Sequence, residues 1–261
     1  MATHLAPILD RILESRRAWI SELKVREGFG TAAIAGAQPA RDFRRALRGP
    51  RVALIAECKE RSPSGGLLQK PYDPVNLAGR YAASGASAIS VLTEPEFFGG
   101  SLEHLRAIRA AVELPLLCKD FIIDPVQLRA ARSAGADAAL LIVGILDDHA
   151  LQTLHEAATD LGMQVVVEVH TETEVRRAVD LGADIIGINN RDLTRMKTDK
   201  ETTARLRPLI PRDRTVISES GIESRADIDA LARLSVDAAL IGESLLRAAD
   251  LEAKVRELSG R

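Results

Sequence analysis

The sequence predicts an α/β fold, a (β/α)8 TIM barrel with an N-terminal helical extension, and three observations carry that prediction. A short unit recurs along the chain: a helix ends at glycine, a small residue follows, and an apolar strand begins. It reads SGASAISVL, AGADAALLIV and LGADIIGIN, with LGMQVVVEV and SVDAALIG as looser copies. Glycine is the usual left-handed helix cap, so each copy marks a helix-to-strand turn. The apolar runs number eight, and the gaps between them are the size of crossover helices. The length of 261 residues suits one barrel of about 250. No GxGxxG or Walker loop follows the first strand, which weighs against an open doubly wound sheet.

One domain is therefore expected over residues 1–261, with residues 1–50 forming the extension. Leu5, Ile8, Leu9, Ile12, Leu13, Trp19, Ile20 and Leu23 fall at helical spacing with Arg and Glu between them, which predicts an amphipathic helix. A second helical patch, Arg41 to Leu47, ends at Gly49-Pro50. Strands are then expected near Val52–Glu57, Ala88–Leu92, Leu116–Lys119, Ala138–Val143, Val165–Glu168, Ile185–Ile188, Thr215–Ser218 and Ala238–Ile241. Ser101, just after Gly99-Gly100, reads as a helix N-cap.

The composition narrows the partners. Thirty-five basic and 37 acidic residues leave a formal charge of −2, which offers no nucleic-acid surface. No apolar run is long enough for a membrane helix, and Asp10 and Glu14 among the first apolar residues are unlike a signal peptide, so a cytoplasmic protein is expected. Cys58 and Cys118 lie in the first and third strands, facing the helix layer, and read as small buried hydrophobes rather than a disulfide. The histidines His104, His149, His155 and His170 lack metal-ligand spacing, so no metal is expected.

Chemistry in such a barrel comes from the C-terminal ends of the strands. The run Val52–Gly66, VALIAECKERSPSGG, begins as core and ends in charge. Strand alternation sends Glu57 and Lys59 to one side and Cys58 to the other. Two charges leaving a buried strand together need a polar pocket. Lys119 ends the third strand, Glu168 the fifth, Asn189 and Arg191 follow the sixth, and Glu219 follows the seventh. Each alone could be a rim charge or half of an ion pair. Their convergence on one mouth points to acid–base work.

Gly221 in SESGI and Gly242 in LIGES follow the last two strands, where such barrels often hold phosphate on backbone N–H groups, so a phosphorylated small-molecule substrate is expected. Phe97, Phe98 and Phe121 lie just past strand ends in a chain with only 3% aromatic residues. They either line a slot for an aromatic ring or pack the loops on one another.

The stretches AECKERSPSGG, SVLTEPEFFGGS, PLLCKDFIIDP, VVVEVHTE, GINNRDL, ISESGI and LIGESL, in this order, closely resemble the indole-3-glycerol phosphate synthases of tryptophan biosynthesis. The resemblance covers nearly the whole chain. It implies closure of 1-(2-carboxyphenylamino)-1-deoxyribulose 5-phosphate to an indole with loss of carbon dioxide and water, and no cofactor. By motif, Lys119 would be the general acid at the ribulose carbonyl oxygen, and Glu168 would transfer protons and stabilise the cationic ring. Glu57 and Lys59 would serve dehydration and binding, while Asn189 and Glu219 orient the ribulose chain. Arg191 and Ser62 are placed for the anthranilate carboxylate, where a guanidinium fork is well shaped. Ser220, Gly221, Gly242 and Lys59 would take the phosphate, and Phe97, Phe121 and Leu140 or Leu141 the aromatic ring.

Two departures stand against this pattern. The loop after GINNRDL continues TRMKTDKETT, more polar and basic than the apolar stretch of that family, and Glu243 follows Gly242 where some relatives carry a small hydroxyl residue. A carboxylate beside phosphate must turn away or weaken binding. The rival readings are another phosphate barrel, such as phosphoribosylanthranilate isomerase or an aldolase with Lys119 as a Schiff base, and a barrel that only binds. A monomer or weak homo-oligomer is expected.

Overall fold

The computed structural model describes residues 7–25, 38–63, 65–192 and 197–261. Leu5 of the expected first helix and positions 194–196 of the polar loop lie outside them.

Eight parallel strands close a barrel: β1 (Ala53–Cys58), β2 (Ala88–Leu92), β3 (Leu116–Lys119), β4 (Ala138–Ile142), β5 (Gln164–Val169), β6 (Ile185–Asn189), β7 (Thr215–Glu219) and β8 (Ala238–Ile241). Each pairs with its successor, and β8 returns to β1 in the register Ala53 to Ala238. The expected strands are all present, with ends shifted by one residue or so. Val143 leaves β4 for a single 3-10 turn, while Asn189 and Glu219 join the strands they were expected to follow. Short antiparallel hairpins follow β1 (Arg61–Ser62 with Gly66–Leu67) and β6 (Arg191–Asp192 with Lys197–Thr198).

The helices in chain order are α1 (Pro7–Val25), α2 (Phe43–Leu47), α3 (Pro74–Ser84), α4 (Pro95–Phe98), α5 (Leu102–Ala111) and α6 (Pro125–Ser133). They continue with α7 (Asp148–Asp160), α8 (Glu172–Asp180), α9 (Glu201–Leu206), α10 (Arg225–Arg233), α11 (Glu243–Leu246) and α12 (Leu251–Ser259). Ser101 caps α5 as expected, its side chain accepting the Glu103 N–H. The patch expected from Arg41 starts two residues later. Asp42 is its N-cap, and the Arg41 N–H is taken by Asp137 at 2.7 Å.

Alternation along the strands divides the core in two. Leu54, Cys58, Ile89, Cys118, Leu141 and Ile186 pack outward against the helices. Ile55, Ala88, Leu117, Ala138, Leu140, Val166, Ile185, Ile217 and Leu240 fill the barrel. Cys58 and Cys118 are free and buried on strands that are not neighbours. Among the described residues no helix is long and apolar enough to cross a membrane.

The extension serves both ends of the barrel. Fully buried Phe43 and Leu47 of α2 join the barrel's inner cluster, and the Arg44 guanidinium bonds Asp184 and Thr215 beside the starts of β6 and β7. Near the other end, α1 adds Leu9, Ile12 and Leu13 to the apolar cluster of Phe97, Phe98 and Phe121. Arg16 of α1, 1% exposed, pairs at 3.2 Å with Asp120, the residue after Lys119.

Candidate active site

A cavity of about 710 Å³ opens at the C-terminal mouth of the barrel. Its wall brings together Glu57, Lys59, Ser62, Lys119, Phe121, Leu140, Glu168, Asn189, Arg191, Glu219, Ser220, Gly221 and Gly242. Of the site residues expected from sequence, only Phe97 is missing from that wall. Adjacent residues of a helical turn project about 100° apart, so α4 turns one of its two phenylalanines into the cavity. That one is Phe98, 6.1 Å from the Phe121 ring. Phe97 packs instead on the inner cluster with the Arg11 guanidinium 5.3 Å above it. Of the leucine pair, Leu140 faces inward and Leu141 faces the helices.

The charged groups interlock. Lys119 Nζ lies 3.5 Å from Glu219 Oε2 and 3.6 Å from Glu168 Oε2, and Glu57 pairs with Lys59. All three carboxylates are buried. Burial alone would release the Lys119 proton, but Glu219, Glu168 and Glu57 outweigh it and hold the ammonium well above the usual lysine range. Glu57 shows the converse. Burial pushes its carboxyl up, yet Lys59 and Lys119 bring it below the ordinary value, so it stays ionised. Glu219 is pushed up to about 8 by burial and by the charges of Glu168 and Glu57, against the pull of Lys119. The ammonium thus sits beside a carboxyl that holds its proton more firmly than usual.

Beyond the Lys119 ammonium, Glu168 Oε2 and both Glu219 oxygens are buried without a hydrogen-bond partner among the described residues. Buried acceptors left open cost roughly 1–3 kcal/mol each unless something bonds them, which marks this spot as a place for a ligand.

Two glycines give the cluster room. A Cβ on inward-facing Gly187 of β6 would stand 2.4 Å from Glu219 Oε1, and one on Gly242 would stand 2.4 Å from Glu57 Oε1 and 3.0 Å from Lys59 Nζ. Ser220 and Gly221 both take left-handed backbone, at φ 67° and 78°, turning the chain sharply after β7. Glu243 resolves its own conflict with an anion site. Its carboxylate turns to guanidinium groups, 2.9 Å from Arg247 Nε and 3.8 Å from Arg191. Ser62 accepts the Gly65 N–H at 2.9 Å.

Sequence reasoning missed several lining residues. Thr198 and Lys200 reach the wall through the hairpin after β6, and Asp120 sits behind Lys119 with its side chain accepting from Thr93 and Arg16. His170, read only for metal spacing, stands 3.4 Å from Glu168.

Ammonium groups, buried carboxylates and a guanidinium around one apolar-floored mouth define the class: a (β/α)8-barrel enzyme equipped for acid–base chemistry. A family model described as indole-3-glycerol phosphate synthase matches residues 9–258. The chain belongs to the indole-3-glycerol phosphate synthase family. A relative of that name from Roseiflexus sp. (strain RS-1) is 50% identical over 264 residues, covering 97% of this chain and 98% of its own. Another, from Dehalococcoides mccartyi (strain CBDB1), is 52% identical over 223 residues, covering 84% of this chain and 86% of its own. Among solved structures, 3-hexulose-6-phosphate synthase from Salmonella typhimurium superposes with a TM-score of 0.66 at 20% identity, covering 80% of this chain and 97% of that one, a likeness of fold alone.

Proposed function

We propose that the mouth of this barrel closes 1-(2-carboxyphenylamino)-1-deoxyribulose 5-phosphate to indole-3-glycerol phosphate, with loss of carbon dioxide and water. The enzyme is a decarboxylating carbon–carbon lyase of its family. The observation that carries the residue assignment is the Lys119 ammonium held between Glu168 and Glu219 in the cavity.

In this reading the ring carbon bearing the carboxylate attacks the ribulose carbonyl carbon, and the carbonyl oxygen gathers negative charge. Lys119 gives that oxygen a proton. Glu168 faces the ring as its nitrogen becomes cationic, so that cation and carboxylate oppose one another. Loss of carbon dioxide restores the aromatic ring. The new hydroxyl then leaves as water, assisted by Lys59 and Glu57, while the neighbouring ring carbon gives up the proton that completes the indole double bond. Glu219, which holds its proton more firmly than usual, and Asn189 orient the ribulose hydroxyls.

The same wall supports the binding roles. Phe98, Phe121 and Leu140 give an apolar floor for the anthranilate ring, with the Arg191 fork and Ser62 toward its carboxylate. Backbone N–H groups at Ser220, Gly221 and Gly242, with Lys59 alongside, suit the phosphate. Free, buried Cys58 and Cys118 support a cytoplasmic setting, and we propose a monomer or weak homo-oligomer.

The Schiff-base alternative needs a neutral lysine. The Glu168 carboxylate at 3.6 Å, the Glu219 carboxyl at 3.5 Å and the charge of Glu57 hold Lys119 as an ammonium instead, which disfavours nucleophilic attack. The test is to supply substrate labelled in its carboxyl carbon, with and without borohydride. Release of labelled carbon dioxide without trapping of protein supports the lyase reading. Borohydride-dependent labelling at Lys119 with the carboxyl retained would overturn it.

A further inference from the structure

Glu168 is held from two sides, and its second partner has no role in the reaction as drawn so far. We propose that His170 is a positioning residue, a ring anchored by Glu174 that fixes the orientation of Glu168 opposite Lys119. The proposal deepens the functional reading above and rests on it.

The geometry is that of a three-residue chain. His170 follows β5 at once, and its side chain is only 13% exposed. Its Nε2 lies 3.4 Å from Glu168 Oε1, while its Nδ1 lies 3.3 Å from Glu174 Oε2. The same Glu174 oxygen accepts the His170 backbone N–H at 2.7 Å. Glu174 is itself fixed in the first turn of α8, where its N–H donates to the Thr171 cap. The two oxygens of Glu168 are thus divided, Oε1 toward His170 and Oε2 toward Lys119.

The charge on the ring follows from its neighbours. A neutral imidazole donates from one nitrogen only, whereas this ring has a carboxylate at each. The groups facing it are Glu168 on its own strand, Glu174 from α8 and Glu219 from β7, with the Lys119 ammonium beyond Glu168. Burial favours the neutral ring, but the Glu174 contact and the charges of Glu168 and Glu219 win, and His170 titrates above its ordinary 6.5. A raised histidine pKa means the ring is cationic below that value and neutral above it. His170 Nε2 is buried without a formed hydrogen bond among the described residues, and Glu168 Oε1 at 3.4 Å needs only a small rotation to accept from it. A ring braced on the far side of Glu168 keeps that carboxylate aimed when Lys119 surrenders its proton.

The experiment uses the full chain and three variants, His170→Gln, Glu174→Gln and Glu168→Gln. For the first two, kcat and KM are measured from about pH 5 to about pH 9, across the histidine range. Histidine ring resonances are followed by NMR in the wild type and in all three variants without substrate. We expect His170→Gln to lower kcat by about tenfold, as loss of a residue that orients a reacting group does, with KM within about twofold. The alkaline limb of the wild-type profile, to which His170 and Glu219 both contribute, should lose its His170 step in that variant, and that step should move to lower pH in Glu174→Gln. The His170 resonance should titrate above 6.5 in the wild type and lower in Glu174→Gln and Glu168→Gln. An unchanged kcat and pH profile in folded His170→Gln would leave the residue a mere tie for α8 and overturn the proposal. A His170 titration indifferent to Glu168→Gln would also overturn it, and that readout stands even if His170→Gln fails to fold. If the wild type forms no indole, the functional reading fails while the NMR titrations still decide whether His170 and Glu168 are coupled.

Discussion

Replacing Lys119 by methionine keeps the apolar stem and removes only the charge. At 3.6 Å, the contact of the ammonium with the Glu168 carboxylate is worth about 4–5 kcal/mol at an effective dielectric near 20, before the cost of desolvation, and the raised Glu219 carboxyl adds less. Removing the ammonium leaves Glu168 and Glu219, both buried, without the cation between them. Glu219, already raised to about 8, then keeps its proton still more firmly, which relieves the repulsion and preserves the fold. Chemistry has no such relief. A lost general acid costs about 10²–10⁴ in rate, and a lost charge facing a developing oxyanion about 10²–10³. Because one group supplies both, the effects overlap, and we expect kcat to fall by about 10³. Steady-state indole absorbance gives kcat and KM, and circular dichroism checks the fold. A folded Lys119→Met variant with kcat within about tenfold of wild type would refute the assignment. A loss confined to KM would make Lys119 a binding group.

Three further outcomes follow from the same geometry. Glu219 has a raised folded pKa, so its contribution to stability is full below its ordinary 4.5 and is lost as pH rises through about 8; the melting temperature should fall across that window, and Glu219→Gln should flatten the fall. Gly242→Ala places a methyl 2.4 Å from Glu57 Oε1, and because that oxygen is buried and paired with Lys59 the pair must move; kcat/KM should drop by about 10² while the melting temperature changes little. Arg191→Lys keeps the charge but not the planar fork, so KM should rise by about tenfold with kcat nearly unchanged, read from substrate saturation curves.

Much of this site was legible because a parallel barrel turns linear order into position. Every strand ends at the same mouth, so a reader who finds the strands has found which charges converge. The alternation that sends Glu57 inward and Cys58 outward needed no structure, and neither did the free thiols on strands too far apart to bond. What could not be read was orientation in short helical turns and contacts across long sequence separations. Phe97 and Phe98 are indistinguishable on paper, and only the turn of α4 picks one for the cavity. The bond from Arg16 to Asp120 joins residues 104 apart in the chain, and no local pattern announces it. His170 escaped because a search for metal spacing asks about histidines and cysteines together, whereas its partners are two glutamates that the β5-to-α8 turn folds around it. Gly187 carries a signal that was available in principle. A glycine inside a barrel strand leaves space for a neighbour, and here the neighbour is Glu219.

The central claim is that this mouth makes an indole from an anthranilate sugar phosphate, with Lys119 as the proton donor. The most direct measurement mixes wild type and Lys119→Met, side by side, with 1-(2-carboxyphenylamino)-1-deoxyribulose 5-phosphate and follows indole fluorescence. Rapid indole formation by the wild type, with the folded variant slower by about 10³, is the predicted result. No indole from the wild type, or equal rates from the two proteins, would contradict it.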